Sequence, residues 1–277
     1  MFLVDTHTHL DQPEFDADRE AVIARARQAG VEMIISVGIS ADSSRAALSL
    51  AEAHPEIFAA VGIQPNQCAE AAEGDWDRIV AMAGQPGVVA IGETGLDRYW
   101  DFTPLDVQRD YFDRHLRLAQ EHDLPVIIHC RDAADELLPI LREAHARGPL
   151  RGLLHAFSGD KAMAAECLEL GLYLSFAGMV SYTNKKFRPL REIAAEVPDD
   201  RLLIETDSPY LVPHPLRGKQ KRNEPACLVH TAESLAELRG VDPDALARQT
   251  TANARRLFQL ERPQRGMAAT NREGDRG

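Results

Sequence analysis

The chain has no long apolar run, no cysteine pairing pattern and few aromatic residues. No stretch among its 277 residues approaches the roughly 20 consecutive apolar residues that a membrane helix requires. The N-terminus lacks the basic and apolar regions of a secretory signal. The four cysteines show no C-x-x-C spacing, which is typical of reduced thiols and not of a disulfide framework. We therefore expect a soluble, cytoplasmic protein that does not associate with membranes.

The chain also has fewer basic than acidic residues, 31 Lys and Arg against 43 Asp and Glu. The formal net charge is −12, which argues against non-specific coating of nucleic acid because clustered Lys and Arg drive phosphate binding. An enzyme that holds a few phosphates at one site is still compatible, since a bound metal ion can be the largest local positive charge. The one dense basic stretch, residues 217–222 (RGKQKR), is either a solvated loop, as most charge runs are, or a phosphate-binding loop.

Short apolar runs alternate with segments of helical periodicity along the whole chain. The runs that predict strands are Phe2–Val4, Met33–Val37, Phe58–Gly62, Val88–Gly92, Pro125–Ile128, Leu150–Leu154, Leu172–Phe176 and Leu202–Ile204. Helical spacing follows them, for example in Asp16–Gly30 and Pro104–Asp123. This alternation predicts a parallel sheet with right-handed crossovers, and eight units favour a closed (β/α)₈ barrel of the TIM type. No G-x-G-x-x-G follows a strand, which disfavours an open dinucleotide-binding sheet.

The chain contains no linker-like stretch before its C-terminal end. We therefore predict one α/β domain, a single TIM barrel over residues 1–260. Residues 261–277 have almost no apolar content and are rich in Arg, Gly and Glu, so they are predicted to form a disordered tail.

Histidines and carboxylates follow the predicted strands where a barrel carries its chemistry, at the C-terminal ends. The candidates that share this position are His7, His9, Glu93, His129, His155 and Asp207, with Glu205 beside the last. His7 and His9 point the same way because side chains alternate in extended backbone. Taken singly, each residue is explained equally well as a helix cap or a satisfied core histidine. Together they supply the nitrogen and oxygen ligands that divalent metals bind.

Six such ligands exceed the three that a single catalytic ion requires and fit a two-ion site with ions about 3.5–4 Å apart. In that site Glu93 is the natural bridge. Asp207 would bind a metal and also orient or deprotonate the attacking water. We expect this site to bind divalent metal ions such as Mg²⁺, Mn²⁺ or Zn²⁺.

Several motifs, in order, resemble those of the TatD family of metal-dependent hydrolases. They are residues 5–11 (DTHTHLD), 92–97 (GETGLD), 124–132 (LPVIIHCRD), 155–159 (HAFSG), 205–211 (ETDSPYL), 217–219 (RGK) and 251–258 (TANARRLF). The resemblance implies an amidohydrolase-like TIM barrel, one or two divalent ions on the same six residues, and nuclease activity. Characterised members often trim DNA or RNA from the 3′ end, so DNA or RNA ends are the implied substrate.

One segment departs from the family pattern. Members often carry Gly-x-His-Pro-His after the third strand, whereas residues 62–66 read GIQPN. Gln64 and Asn66 can hydrogen-bond a phosphate or a water but cannot take a proton as imidazole does, so general-acid help from this loop is in doubt. Arg98 also stands where an aromatic residue is usual and adds a positive charge near the barrel mouth.

Three basic residues are candidates for holding substrate phosphates. Arg131 follows His129, and its alternative role is an ion pair with Asp132 or Asp135. Arg217 and Lys219 follow the eighth strand, where barrels commonly place phosphate-binding loops.

Trp100 and Phe102 after the fourth strand could stack on bases, although a structural role is the simpler expectation.

Three classes of function compete. The first is a metal-dependent nuclease acting as a 3′–5′ exonuclease or DNase. The second is a small-molecule or acyl (amide or ester) hydrolase that uses the same two-metal chemistry, since one barrel supports many reactions. The third is a non-enzymatic metal-binding protein, against which the intact ligand set argues. No stable protein partner is predicted.

Overall fold

Eight parallel strands form the centre of the computed structural model, which describes residues 1–260. The strands are β1 (Leu3–Thr8), β2 (Val31–Val37), β3 (Ile57–Val61), β4 (Val88–Asp97), β5 (Val126–Arg131), β6 (Gly152–Leu154), β7 (Tyr173–Phe176) and β8 (Leu202–Ile204). Each pairs in parallel with the next, in sequence order. The tail predicted for residues 261–277 lies outside the described residues.

Helices alternate with these strands. Within residues 1–260 they are α1 (Arg19–Gln28), α2 (Ala41–Ala53), α3 (Asp75–Ala83), α4 (Leu105–Glu121), α5 (Ala134–Arg147), α6 (Lys161–Glu169), α7 (Arg188–Glu196), α8 (Leu228–Arg239) and α9 (Pro243–Phe258). None of these helices is both long and apolar enough to cross a bilayer. The last helix, α9, is additional to the eight strand–helix units that the sequence predicts.

The barrel closes where β1 meets the chain that leaves β8. The backbone N–H of Asp207 donates to the carbonyl of His7 (2.9 Å). The buried carboxylate of Asp5 accepts hydrogen bonds from both the backbone N–H and the hydroxyl of Thr206, at 2.9 and 2.6 Å. The first and last strands are thus joined, and the predicted (β/α)₈ barrel is confirmed.

Two apolar cores hold the barrel together. The larger core lies between the sheet and the surrounding helices and includes Phe15 and Phe112. The smaller core fills the barrel interior with alternate strand residues such as Met33 and Ile35, and Phe258 of α9 packs against it. Side chains of α9 donate hydrogen bonds to the backbone at the beginnings of β1 and β8, so α9 covers the end of the barrel at which the strands begin.

Three strands continue at their C-terminal ends beyond the apolar runs that predict them. The run Val88–Gly92 predicts β4, but the strand continues to Asp97, where Gly95 still pairs with His129. β1 and β5 likewise continue to Thr8 and Arg131. Most of these extra residues are polar, so an apolar pattern ends before the hydrogen-bond ladder does.

Candidate metal centre

The structure brings the six predicted ligands together at the C-terminal ends of the strands. They form three overlapping groups, in each of which the ligand atoms lie within 4.8 Å of one another: His7, His155 and Asp207; His7, His9 and Glu93; and Glu93, His129 and His155. Five of the six are buried, and His129 is partly exposed. So many buried ionisable groups require partners of opposite charge or a metal.

Glu93 lies between two histidine pairs and offers one oxygen to each. Its Oε2 is 3.5 Å from Nε2 of His7 and 3.7 Å from Nε2 of His9. Its Oε1 is 2.9 Å from Nδ1 of His129 and 3.2 Å from Nε2 of His155. With one oxygen facing each pair of nitrogens, Glu93 would be able to serve two metal ions at once.

Asp207 lies on the side of the first pair. Its Oδ1 is 3.7 Å from Nε2 of His7 and 3.5 Å from Nε2 of His9. Together with Oε2 of Glu93, these atoms offer two nitrogens and two carboxylate oxygens around one point. A hard or borderline divalent cation accepts this donor set.

Within each histidine pair the ring nitrogens face one another. Nε2 of His7 and Nε2 of His9 are 3.2 Å apart, and Nδ1 of His129 and Nε2 of His155 are 3.1 Å apart. Two facing nitrogen lone pairs repel unless a proton or a metal ion lies between them. The residues therefore fit a centre that holds cations.

The charge balance of the cluster leads to the same conclusion. Burial alone would lower the pKa of His9, but the Asp207 and Glu93 carboxylates raise it to about 9. Burial opposes the charged form of His155 as well, yet Glu93 and Glu205 hold its pKa well above the ordinary value. The cluster therefore attracts protons when no other cation is present, and a divalent ion that binds there releases them.

Asp97 is a site residue that the strand-end prediction does not include. Its Oδ2 lies 3.0 Å from Nε2 of His129 and accepts a hydrogen bond from Nδ2 of Asn66 at 3.1 Å. A carboxylate on the outer ring nitrogen keeps the proton there and leaves the inner nitrogen, Nδ1, free to bind a metal.

Glu205 lies beside His155 in the same way that Asp97 lies beside His129. Its Oε1 lies 3.4 Å from Nδ1 of His155 and accepts a hydrogen bond from the backbone N–H of Ala156 at 2.7 Å. Both carboxylates are visible in the sequence, because Asp97 ends the GETGLD motif and Glu205 begins ETDSPYL. The signal that would identify them is a buried acid beside a strand-end histidine: Asp97 lies on the strand adjacent to that of His129, and Glu205 follows the strand two positions along from that of His155.

Gly95 permits β4 to approach β5 at this point. Its φ is +138°, and a Cβ on this residue would lie 2.0 Å from the backbone oxygen of His129. Only glycine can adopt this conformation at this distance. The close approach positions His129 beside Glu93 and Asp97.

The structure places Asn66 next to Asp97, and Gln64 next to the backbone of Asn66. Oε1 of Gln64 accepts from the backbone N–H of Asn66 at 2.8 Å and so caps the short 3₁₀ helix Pro65–Glu70. Asn66 donates to Asp97, while its own Oδ1 is buried without a protein partner among the described residues. The contacts of both side chains thus support the His129 side of the centre.

The predicted phosphate-binding residues lie in different environments. The guanidinium of Arg131 stacks 3.8 Å above the ring of Tyr99, and in the part of the chain described it pairs with neither Asp132 nor Asp135. The guanidinium of Arg217 stacks 3.8 Å above the ring of Tyr182.

Lys219 and Arg222, which belong to the same basic stretch, differ from each other in exposure and in pairing. Lys219 is exposed. Arg222 forms two hydrogen bonds to the carboxylate of Asp18, at 2.7 and 2.9 Å, so its charge is used within the fold.

Comparison with known proteins gives concordant matches over nearly the whole chain. The model of the family described as TatD-related DNase matches residues 4–259. An uncharacterized metal-dependent hydrolase of Bacillus subtilis, YabD, is 43% identical over 258 residues, which cover 93% of this chain and 99% of that protein. The 3′–5′ ssDNA/RNA exonuclease TatD of Salmonella typhimurium is 38% identical over 260 residues, with 93% and 99% covered.

A solved structure shows the same fold. The crystal structure of YJJV, a TatD homolog from Escherichia coli K12, superposes with a TM-score of 0.86 at 32% identity. The match covers 94% of this chain and 98% of that one. The barrel and its closure are therefore shared with a structure determined by experiment.

Proposed function

This chain belongs to the TatD-related DNase family of metal-dependent hydrolases, and on that premise we propose that it hydrolyses phosphodiester bonds at the 3′ ends of DNA or RNA. The observation that carries the proposal is Glu93, whose two oxygens face two histidine pairs. Relatives of 38–39% identity are named 3′–5′ ssDNA/RNA exonucleases, which supports the choice of substrate.

The six clustered residues divide into two sets of ligands. His7, His9 and Asp207 would hold one ion, and His129 and His155 the other, with Glu93 shared between them. When bound, divalent ions supply an activated water and neutralise negative charge on the phosphoryl oxygens. Mn²⁺ or Mg²⁺ suits a phosphodiester, although the nitrogen-rich ligand set also accepts Zn²⁺.

Asp207 would act as the proton acceptor. It follows β8 at the rim, and Oδ1 lies at similar distances from His7 and His9, so it can reach a water held there. A carboxylate at that point orients the water and takes its proton. Glu93 is the other residue that we place in the catalytic machinery, because it fixes the separation of the two ligand sets.

Substrate phosphates would be held by the basic side chains of the rim. Lys219 is exposed and free to follow a flexible phosphate, while Arg131 and Arg217 are held flat against aromatic rings. Gln64 and Asn66 can offer hydrogen bonds to a phosphate or water but no proton transfer.

We place the protein in the cytoplasm, since its four cysteines form no disulfide and free thiols persist in reducing compartments.

The experiment that tests this proposal is a cleavage assay on end-labelled single-stranded DNA, RNA and duplex, with Mn²⁺, Mg²⁺ or Zn²⁺. The metal-loaded Asp207→Asn variant is the control, and a panel of carboxylic esters and amides runs in parallel. We expect mononucleotides to be released from the 3′ end, and chelation to stop the reaction. Hydrolysis of the esters or amides alone would show the alternative acyl hydrolase, and full turnover after exhaustive chelation would exclude both.

A further inference from the structure

Three aromatic side chains are exposed together on the loop that follows β4. Tyr99 is 54% exposed, Trp100 44% and Phe102 61%. Large rings usually lie buried, and contiguous exposed apolar surface on a soluble protein marks an interaction site. The simpler expectation for Trp100 and Phe102 is a packing role, and their exposure argues against it.

The orientations of the rings leave aromatic faces on which another planar group can stack. Trp100 and Phe102 are parallel, with 9° between their planes and 5.3 Å between their centroids. Tyr99 stands at 90° to Trp100. The guanidinium of Arg131 lies 3.8 Å above Tyr99 and 5.8 Å from the ring of Trp100. We call these four residues, Tyr99, Trp100, Phe102 and Arg131, the aromatic platform.

Hydrogen bonds fix the aromatic platform to the metal centre. Oδ1 of Asp97 accepts from the backbone N–H groups of Tyr99 and Trp100, at 2.9 and 3.1 Å. The other oxygen of the same carboxylate lies 3.0 Å from Nε2 of His129. Asp97 therefore contacts both a candidate metal ligand and the start of the platform, and so links the two.

Planar rings combined with a guanidinium match one ligand chemistry well. Unpaired nucleobases stack on aromatic and guanidinium planes without regard to sequence, and the cationic group also attracts the phosphate backbone. Bases inside a duplex are already stacked on their neighbours and have no free face. The platform therefore favours a single strand over a duplex.

We propose that the aromatic platform binds unpaired bases of single-stranded nucleic acid next to the bond that is cleaved. This inference rests on the proposed function and deepens it, since it names the residues that would hold the bases of the strand. Trp100 and Phe102 would provide the stacking faces, and Arg131 would contact a base or the adjacent phosphate.

Binding can be measured without turnover by the fluorescence of Trp100. The metal-loaded Asp207→Asn protein is titrated with a short oligothymidylate and, in parallel, with an abasic strand of the same length. The other tryptophan, Trp76, packs against His115 and Tyr111 and supplies a constant background. We expect the oligothymidylate to quench emission and the abasic strand to leave it unchanged. Equal quenching by both strands, or by neither, would overturn the proposal.

Kinetics of variants provide the second test. We expect Trp100→Ala to raise KM for a single-stranded oligonucleotide about tenfold per lost base contact while kcat stays near its original value. Trp100→Phe keeps a stacking face and should restore most of the loss. Val241→Ala, an exposed apolar residue between α8 and α9, is the matched control.

The outcomes separate the two proposals. An enzyme that cleaves oligonucleotides with the same KM after Trp100→Ala and Phe102→Ala would overturn the platform and leave the proposed function standing. A protein that is quenched by the oligothymidylate but hydrolyses no nucleic acid would support the platform and exclude the proposed function.

Discussion

Asp97 holds the outer ring nitrogen of His129, with Oδ2 3.0 Å from Nε2. The inner nitrogen, Nδ1, is consequently directed at Glu93, 2.9 Å away. The tautomer of this histidine is thus set by a residue that is not itself among the predicted ligands, in the manner of the carboxylate–histidine–metal arrangements of other metal sites.

Asp97→Asn should weaken metal binding about ten- to a hundredfold. The amide keeps an oxygen for the backbone N–H groups of Tyr99 and Trp100 but presents an NH₂ group to His129. His129 then keeps its proton on Nδ1, where a metal would bind. Isothermal titration with Mn²⁺ measures the change, and Asp199→Asn, an exposed acid paired with Arg239, is the control. An unchanged affinity would contradict the role given to Asp97.

Asp207→Asn should lower kcat by at least ~10² and leave substrate binding largely intact. The substitution removes a charge and a proton acceptor at nearly constant shape, and the lost interaction matters mainly in the transition state. Steady-state kinetics on a short oligonucleotide measure the effect, with metal content determined for each preparation. A metal-loaded variant with near-normal kcat would refute the proposed proton acceptor.

Lys219→Ala should raise KM more than it lowers kcat. Lys219 is exposed, so an interaction with a substrate phosphate would be screened by salt, and the effect should shrink as ionic strength rises. Lys161→Ala removes the same charge at a site paired with Glu196 and is the matched control. An effect of Lys219→Ala that does not change with salt would indicate that this loop is a solvated surface segment and not a phosphate-binding loop.

We expect mild acid to destabilise the fold because the unfolded chain binds a proton at His115 more readily than the folded protein does. Burial lowers the pKa of His115 to about 4, and its neutral ring is fixed between the carbonyl of Tyr111 and the backbone N–H of Ile63. Because the unfolded chain binds this proton near its ordinary pKa of 6.5, unfolding is favoured as the pH falls from 6.5 towards 4.

The expected loss of unfolding free energy from His115 over this interval is about 3 kcal/mol. Urea unfolding at pH 7 and pH 4.5 measures the total loss for the wild type and for His115→Gln, which does not titrate. The difference between the two isolates the contribution of His115 from that of the carboxylates. Parallel pH profiles of the two proteins would show that the buried ring is not the cause.

The barrel and the rim position of the candidate ligands are predictable from the sequence because both depend on short-range patterns. An apolar run marks each strand, and the residue after the run is at the rim, so His129 and His155 can be placed without coordinates. The TatD motifs predict the same family that the family model and the relatives show.

Other features depend on contacts between distant segments and are not visible in a local pattern. The stacking of Arg131 on Tyr99 joins β5 to the loop after β4, and the sequence instead offered Asp132 or Asp135 as partners. The continuation of β4 to Asp97 is hidden because its rim residues are polar. The role of Asp97 follows only when β4 and β5 are seen side by side.

The two hydrogen bonds between Asp5 and Thr206 have a consequence for the synthesis of this protein. The cluster combines side chains from the first nine residues with Asp207, and the hydrogen bonds that join these segments span about two hundred positions of the chain. A nascent chain that has not yet exposed β8 outside the ribosome therefore lacks Asp207 and the closing seam. The candidate metal centre can therefore be completed only after β8 and Asp207 have emerged and closed the barrel against β1.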